Sequence, residues 1–191
     1  MNLIEKISSL SPPSLTVIAS RPAMGKTTIA LNIALYKALH EQAPIVFFSL
    51  ELSKKQLVEK MNIPQSKLLI DDTADITVSQ IHQKCREEKD AHGLGLIVID
   101  YFQLLRGGKA DEKAAGLKDM SLDLGVPIIV TSQLIRSSED RQENCPSIST
   151  DFGESGVLAN FADNVIFLYR EEHTDTEKPG ECEFIIAKGK I

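Results

Sequence analysis

The sequence predicts an open α/β fold with a mostly parallel central sheet and helices on both faces of that sheet. Short apolar runs alternate with amphipathic stretches along the 191 residues, and this alternation of strand and helix is typical of α/β folds. The runs at 45–48, 96–99 and 127–130 are apolar without alternation, as expected for strands that are buried on both faces of a parallel sheet.

Six runs are predicted as strands because each is short and rich in aliphatic, β-branched or aromatic residues. Strands that end in polar residues place those residues at one edge of a parallel sheet, where ligands bind in such folds. In chain order the runs are LTVIAS (15–20), PIVFFSL (44–50), LIVID (96–100), PIIVTS (127–132), NVIFLY (164–169) and CEFIIA (182–187).

Helices are predicted in the stretches that separate these strands. The clearest begins directly after Gly25 and stays apolar and regular as far as Leu39. The predicted helices cover 26–40, 53–62, 77–91, 111–124 and 155–162.

Residues 20–28, SRPAMGKTT, join the first strand to the first helix and have the pattern of a phosphate-binding loop. Backbone N–H groups at a helix start, together with the helix dipole, favour an anion there. Lys26 can reach the outer phosphates, and Thr27 has a hydroxyl suited to Mg²⁺. Ser20 replaces the first glycine of the motif, and the alternative is a Gly-Lys-Thr at an ordinary helix start. We predict nucleotide binding through Ser20, Arg21, Pro22, Ala23, Met24, Gly25, Lys26, Thr27 and Thr28.

Three polar residues at predicted strand ends are candidates for a role in nucleotide hydrolysis. Asp100 follows four aliphatic residues, where a carboxylate supports Mg²⁺, largely through water; the alternative is a plain strand terminus. Glu51 could orient the water that attacks the outer phosphate. Its alternative role, compatible with the first, is a cap or first-turn acid of the helix that starts near Ser53. Gln133 could sense the outer phosphate or that water.

Length and composition favour one globular domain. A chain of 191 residues can form one full core and is short for two domains, and 42% hydrophobic with 25% charged residues is ordinary for a globular protein. No stretch approaches the roughly twenty apolar residues that span a bilayer, and the N-terminus lacks a signal-peptide pattern. We therefore expect a cytoplasmic protein without a membrane partner.

Cysteine spacing argues against a zinc site, and the net charge argues against extensive nucleic-acid binding. Cys85, Cys145 and Cys182 are far apart and do not cluster in sequence with histidines, which disfavours a zinc site. The net charge of −6 makes affinity for nucleic acid a local property at best, because that affinity depends on Lys and Arg neutralising phosphates.

Two segments are predicted as loops. Residues 106–110, RGGKA, follow a strand end and suggest a flexible connection, and residues 137–156 are too long for an ordinary one. Long loops at strand ends are commonly functional or mobile, although solvated surface is an equally good interpretation.

Taken together, these motifs resemble the DnaB-type replicative DNA helicases over most of residues 14–190. The resemblance implies a RecA-like P-loop NTPase core with sheet order 5-1-4-3-2, which places the strand of Glu51 beside that of Asp100. The matching segments are SRPAMGKT (20–27), FFSLELS (47–53), GLGLIVIDYFQL (93–104), VPIIVTSQL (126–134) with Arg136, ESG (154–156), AD (162–163), FLYRE (167–171) and AK (187–188).

In that family the domain is the ATPase motor of a ring hexamer that moves along single-stranded DNA. The resemblance implies ATP and Mg²⁺ as cofactors, Glu51 as catalytic base, and Gln133 as the residue that couples nucleotide state to DNA loops. It implies that Lys188 is a cation acting on a neighbour's nucleotide and that Arg170 belongs to the nucleotide site. Lys190 stands where the family has an arginine finger, and lysine cannot reproduce the bidentate fork.

The chain also departs from the family pattern. We expect residues 1–191 to form a single RecA-like ATPase domain without the family's N-terminal domain and linker helix. The stretches 52–68 and 104–117 are shorter than usual, and Gly153 occupies an arginine position.

Two alternative functions fit parts of the sequence. One is a nucleotide-binding regulatory or assembly module that contacts replication proteins without being a processive motor. The other is a P-loop kinase, which fits Lys26 and Asp100 but leaves Glu51 and Gln133 unexplained.

Overall fold

A seven-stranded sheet forms the centre of the computed structural model, which describes residues 3–8, 10–61, 68–134, 156–169 and 183–189. The strand order is β3-β2-β4-β5-β1-β6-β7. Only β7 is antiparallel to its neighbour among the described strands, and the others run parallel. The strands are β1 (Leu15–Ser20), β2 (Ile45–Ser49), β3 (Leu68–Asp71), β4 (Leu96–Asp100), β5 (Ile128–Gln133), β6 (Asn164–Tyr169) and β7 (Glu183–Lys188).

Helices cover both faces of this sheet, so each inner strand contributes to two apolar cores. Alternate residues face opposite sides: Val17 of β1 packs in one core and Ile18 packs in the other. The helices are α1 (Leu3–Ser8), α2 (Lys26–His40), α3 (Lys54–Met61), α4 (Val78–His92), α5 (Ala110–Leu124) and α6 (Gly156–Phe161), with a 3₁₀ turn at Phe102–Leu104. The first core includes residues of α4, α5 and α6, and the second includes residues of α1, α2 and α3.

The predicted fold class is confirmed, and the order 5-1-4-3-2 is found as β6-β1-β5-β4-β2 inside the larger sheet. The sequence prediction missed β3 and α1. Each is too short, at four and six residues, to show a clear period. No helix in the described ranges combines the length and the apolar character needed to cross a membrane.

The predicted loops have different outcomes. The connection at 106–110 is tied to its surroundings, since the Arg106 backbone N–H donates to the carbonyl of Ile76 at 3.0 Å and Arg106 Nε lies 2.5 Å from Asp75 Oδ1. We therefore correct the prediction of a flexible loop there to a short, bonded connection. The predicted loop at 137–156 lies outside the described residues except for Gly156, which begins α6.

Asp163 fastens the amino end of β1 at the edge of the sheet that carries the strand starts. Its Oδ2 accepts from the backbone N–H of Leu15 at 2.7 Å, and its own N–H donates to the Leu15 carbonyl at 2.8 Å. Lys118 Nζ lies 2.7 Å from both carboxylate oxygens. Burial alone would raise the pKa of Asp163, but the bonds from Lys118 and Leu15 lower it overall.

Candidate functional site

The loop between β1 and α2 presents an uncapped helix start at the carboxyl edge of the sheet. Gly25 stands at the N-cap of α2 with φ 93° and no side-chain hydrogen bond to the first turn, a conformation that favours glycine. The first N–H groups of a helix lack partners within the helix, and here no cap side chain satisfies them. This end of α2 therefore offers N–H donors to an anion.

Lys26 places a largely buried ammonium beside these N–H groups. The residue is only 9% exposed, and its Nζ makes a long hydrogen bond of 3.4 Å to the carbonyl of Arg21. Burial lowers the pKa of Lys26 below the ordinary value of 10.5, while the charges of Asp100 and Glu51 act in the opposite direction. A bound anion would compensate for the burial of this cation.

Asp100 accepts hydrogen bonds from hydroxyl groups of two neighbouring elements, α2 and β5. Its carboxylate is fully buried, and its Oδ2 accepts from Thr27 Oγ1 at 2.7 Å. Its Oδ1 accepts from Thr131 Oγ1 at 2.5 Å. A hydroxyl and a carboxylate are hard oxygen donors of the kind that Mg²⁺ prefers, so Thr27 and Asp100 fit a magnesium ion that also keeps several waters.

The Thr131 bond leads to a stability prediction. We expect Thr131→Val to lower the free energy of unfolding by about 1–3 kcal/mol, because it removes a donor from a buried carboxylate without changing the side-chain shape. Urea denaturation measures this change.

Thr131→Ser is the control for this prediction. It keeps the hydroxyl and is expected to lose only about 0.8 kcal/mol, the contribution of one buried methyl-sized group. If the valine variant were as stable as the parent chain, the hydrogen bond from Thr131 to Asp100 would make no contribution to the free energy of unfolding.

Glu51 lies next to Asp100 because their strands are neighbours. Ser49 of β2 is in register with Asp100 of β4, and the Leu50 N–H donates to the Asp100 carbonyl at 2.8 Å. The Glu51 side chain is exposed, and its negative charge raises the pKa of Lys26. Burial raises the pKa of Tyr101, and the charges of Glu51 and Asp100 raise it further. Glu51 is therefore close to both Lys26 and Asp100.

The alternative role of Glu51 as a helix cap is not what the structure shows. Ser53 is the residue that precedes α3, and its Oγ accepts from the N–H of Gln56 at 3.3 Å. Gln56 Oε1 in turn accepts from the Ser53 N–H at 2.8 Å, so the two residues form a reciprocal capping pair. The Glu51 carboxylate has no place in that pair.

Gln133 ends β5 beside the phosphate loop. It is in register with Ser20 at the end of β1, and the following N–H, that of Leu134, donates to the Ser20 carbonyl at 2.9 Å. The backbone N–H of Gln133 is also bonded by the side chain of Gln103, at 3.2 Å.

The remaining loop residues are divided between burial and exposure. Ser20 is fully buried and its Oγ donates to the Arg21 carbonyl at 2.9 Å. Met24 is buried, whereas Pro22 and Ala23 are exposed. Arg21, Gly25, Thr27 and Thr28 are partly exposed.

Lys188 is not part of this group. It is at the end of β7, paired with Val165 near the start of β6, and therefore at the sheet edge opposite the phosphate loop. Its Nζ donates to the carbonyls of Ala159 at 3.0 Å and Asn160 at 3.3 Å. Arg170 and Lys190, and the family positions Arg136 and Gly153, lie outside the described residues.

Sequence reasoning did not assign Thr131, Gln103 or Tyr101 to the site. Thr131 belongs to a polar end, Thr-Ser-Gln, of an otherwise apolar strand, and that pattern was the available signal. The contacts of Gln103 depend on how β4 and β5 meet in three dimensions, and the proximity of Tyr101 to Glu51 depends on how β2 and β4 meet. No local pattern predicts either.

The fold and the site define the class of this protein. A parallel sheet of this order, with a phosphate-loop pattern between β1 and α2 and a buried acidic residue at the end of β4, separated from β1 by β5, defines a RecA-like P-loop NTPase domain.

Comparison with known proteins identifies the family within that class. The family model described as the DnaB-like helicase C terminal domain matches residues 1–68 and 61–190, and the chain belongs to this family. It is 39% identical to the replicative DNA helicase DnaB of Geobacillus stearothermophilus over 215 residues, covering 91% of this chain and 47% of that protein. It is 37% identical to the replicative DNA helicase DnaC of Bacillus subtilis with the same coverage. The chain thus spans about half the length of these relatives.

Solved structures support the same assignment. A structure described as an ATPase domain matches with a TM-score of 0.84 and 30% identity, covering 94% of this chain and 78% of that one. A DnaB-like replicative helicase, described with its interactions with primase, matches with a TM-score of 0.83 and 30% identity over 94% of this chain and 54% of that one. A KaiC-like protein from Pyrococcus horikoshii, at 22% identity and a TM-score of 0.69, shares the fold.

Proposed function

We propose that this chain is a single ATPase domain that binds ATP with Mg²⁺ and hydrolyses it as the motor of a replicative DNA helicase on single-stranded DNA. The observation that carries the proposal is the bonded pair Thr27 and Asp100, 2.7 Å apart, beside a buried Lys26 and an adjacent Glu51. Membership of the helicase family supports it.

The phosphate side of the site is assigned to α2 and the loop before it. The uncapped N–H groups of the first turn and the ammonium of Lys26 bind the outer phosphates. Thr27 and Asp100 hold Mg²⁺, the carboxylate largely through water. Magnesium held there would supply neutralisation of the charge on the phosphate oxygens.

Hydrolysis requires a group that orients water and accepts its proton. Glu51 has the exposure and the position for this task, since it stands at the carboxyl edge next to Asp100 and its carboxylate is not used in a helix cap. Gln133 ends β5, and the N–H of the next residue, Leu134, donates to the carbonyl of Ser20; we assign to Gln133 the sensing of the outer phosphate. This pair favours hydrolysis over a site that only binds nucleotide.

Lys188 supports self-association as part of the proposal. It lies at the opposite edge from the phosphate loop of its own chain, so we assign its action to the nucleotide of a neighbouring subunit. A ring, as in a hexamer, would satisfy this geometry, and we assign Lys190 to action on the same neighbour's nucleotide. A replication protein such as a primase is the class of protein partner, and the cytoplasm is the compartment.

Sedimentation velocity tests assembly against the alternative regulatory module. We expect the chain to form a larger species with a nonhydrolysable ATP analogue and Mg²⁺, and an added oligo-dT strand to sediment with it. The Lys26→Ala variant, which should bind nucleotide poorly, is the control and is expected to stay small. A chain that remains monomeric and free of DNA in every condition would favour the regulatory module.

A further inference from the structure

The side chain of Gln103 bonds to the end of β5 as a strand would. Its Nε2 donates to the Gln133 carbonyl at 2.8 Å and to Ser132 Oγ at 3.1 Å. Its Oε1 accepts from the Gln133 N–H at 3.2 Å. One carboxamide therefore engages both backbone polar groups of Gln133.

This carboxamide occupies the side of β5 where strand pairing has ended. The β4–β5 register runs from Ile97 with Ile128 to Ile99 with Val130. Beyond Val130, the register of β5 continues only with β1, as far as Ser20 with Gln133. Gln103, in the 3₁₀ turn after β4, thus supplies the hydrogen bonds that β4 no longer offers.

The result is that the end of β5 is hydrogen-bonded on both sides. On one side the Gln103 carboxamide bonds the N–H and carbonyl of Gln133, and on the other the Leu134 N–H bonds the carbonyl of Ser20, where the phosphate loop begins. Gln103 is also only three residues from Asp100, so the turn that follows the magnesium-site carboxylate directly holds the candidate sensor.

We propose that Gln103 is a positioning residue that fixes the backbone of Gln133, so that the side-chain amide of Gln133 is directed at the outer phosphate of a bound nucleoside triphosphate. This rests on the proposed ATPase function and deepens it by naming the residue that orients the sensor. Gln103 touches no reacting atom, and it acts through Gln133.

Steady-state kinetics of the full chain provides the first test. Gln103→Met removes all these hydrogen bonds with little change in side-chain length, and it is expected to lower kcat for ATP hydrolysis roughly 10-fold, as small misplacements of reacting groups do. KM is expected to stay within about twofold, since the phosphate loop is untouched. Gln83→Met, on the exposed surface of α4 where the amide bonds Glu87, is the matched control and should change neither value.

A double-mutant cycle separates positioning from general stability. In a Gln133→Ala background, Gln103→Met is expected to have no further effect on kcat beyond about twofold, because coupled residues are not additive. An equal loss in both backgrounds would mean that Gln103 acts independently of Gln133 and would overturn the inference.

Amide hydrogen exchange, followed by NMR, tests the same contact without hydrolysis. Gln103→Met is expected to speed exchange of the Gln133 N–H about 10-fold or more, while the N–H of Val130 keeps its protection. Unchanged exchange at Gln133 would overturn the inference. A parent chain that hydrolyses no ATP would overturn the proposed function and the inference with it, whereas an active parent with an unaffected Gln103→Met variant would overturn the inference alone.

Discussion

Replacing Lys26 by alanine is expected to weaken ATP binding about 10- to 100-fold. A hydrogen bond to a charged group contributes roughly 1.5–3 kcal/mol, and each 1.4 kcal/mol is a factor of ten in affinity. Lys26 is the buried cation at the uncapped start of α2, and its loss removes that positive charge from the outer phosphates. Isothermal titration calorimetry with ATP and Mg²⁺ measures the change.

The lysine variant is expected to fold, because burial of Lys26 is a cost in the nucleotide-free protein. Burial lowers the pKa of Lys26 in the folded protein. The charged side chain therefore destabilises the fold at pH values below this lowered pKa, and this destabilisation disappears as the pH rises toward the ordinary value of 10.5. Lys55→Ala, at an exposed position on α3, is the matched control. Equal ATP affinity in the Lys26→Ala variant and the parent would remove Lys26 from the nucleotide site.

The second large effect is expected for Glu51→Gln. The amide keeps the size and hydrogen-bonding capacity of the side chain but cannot accept the proton of the attacking water. General-base catalysis contributes about 10²- to 10⁴-fold, so kcat is expected to fall by at least about 100-fold. ATP affinity should be unchanged or higher, because a negative charge near the phosphates is removed. A phosphate-release assay and calorimetry on the same preparation provide the two measurements.

Glu59→Gln serves as the control for this variant. Glu59 is also an exposed glutamate, but it lies within α3, in contact with Lys55, and the Glu59→Gln variant should hydrolyse ATP at the parent rate. A Glu51→Gln variant with undiminished kcat would exclude Glu51 as the base and leave hydrolysis to another group.

The parts of the fold that follow from local chemistry were predictable. Buried parallel strands are recognisable as continuous apolar runs. The Gly-Lys-Thr sequence between a strand and a helix is typical of a phosphate-binding loop. The proximity of Glu51 to Asp100 was also expected, although it came from the family resemblance and not from the spacing of the two residues. In contrast, β3 could not be predicted from the sequence, because it has only four residues and forms through its pairing with β2.

The contacts that complete the site could not be predicted in the same way. The bonds of Gln103 to Gln133 and of Thr131 to Asp100 join residues about thirty positions apart in sequence, at separations of 30 and 31. Such contacts depend on the register between β4 and β5, which is a tertiary property. The position of Lys188 likewise follows from the antiparallel pairing of β7.

The bonds of Asp163 to Leu15 have a mechanical consequence for the whole site. β1 is paired along both sides, with β5 and β6, and its first residue is bonded through both backbone groups. A strand restrained in this way opens only at a free energy near that of global unfolding. β1 therefore provides a rigid base for the phosphate loop, and any displacement on nucleotide binding is expected in the segments that follow the strands and not in β1 itself.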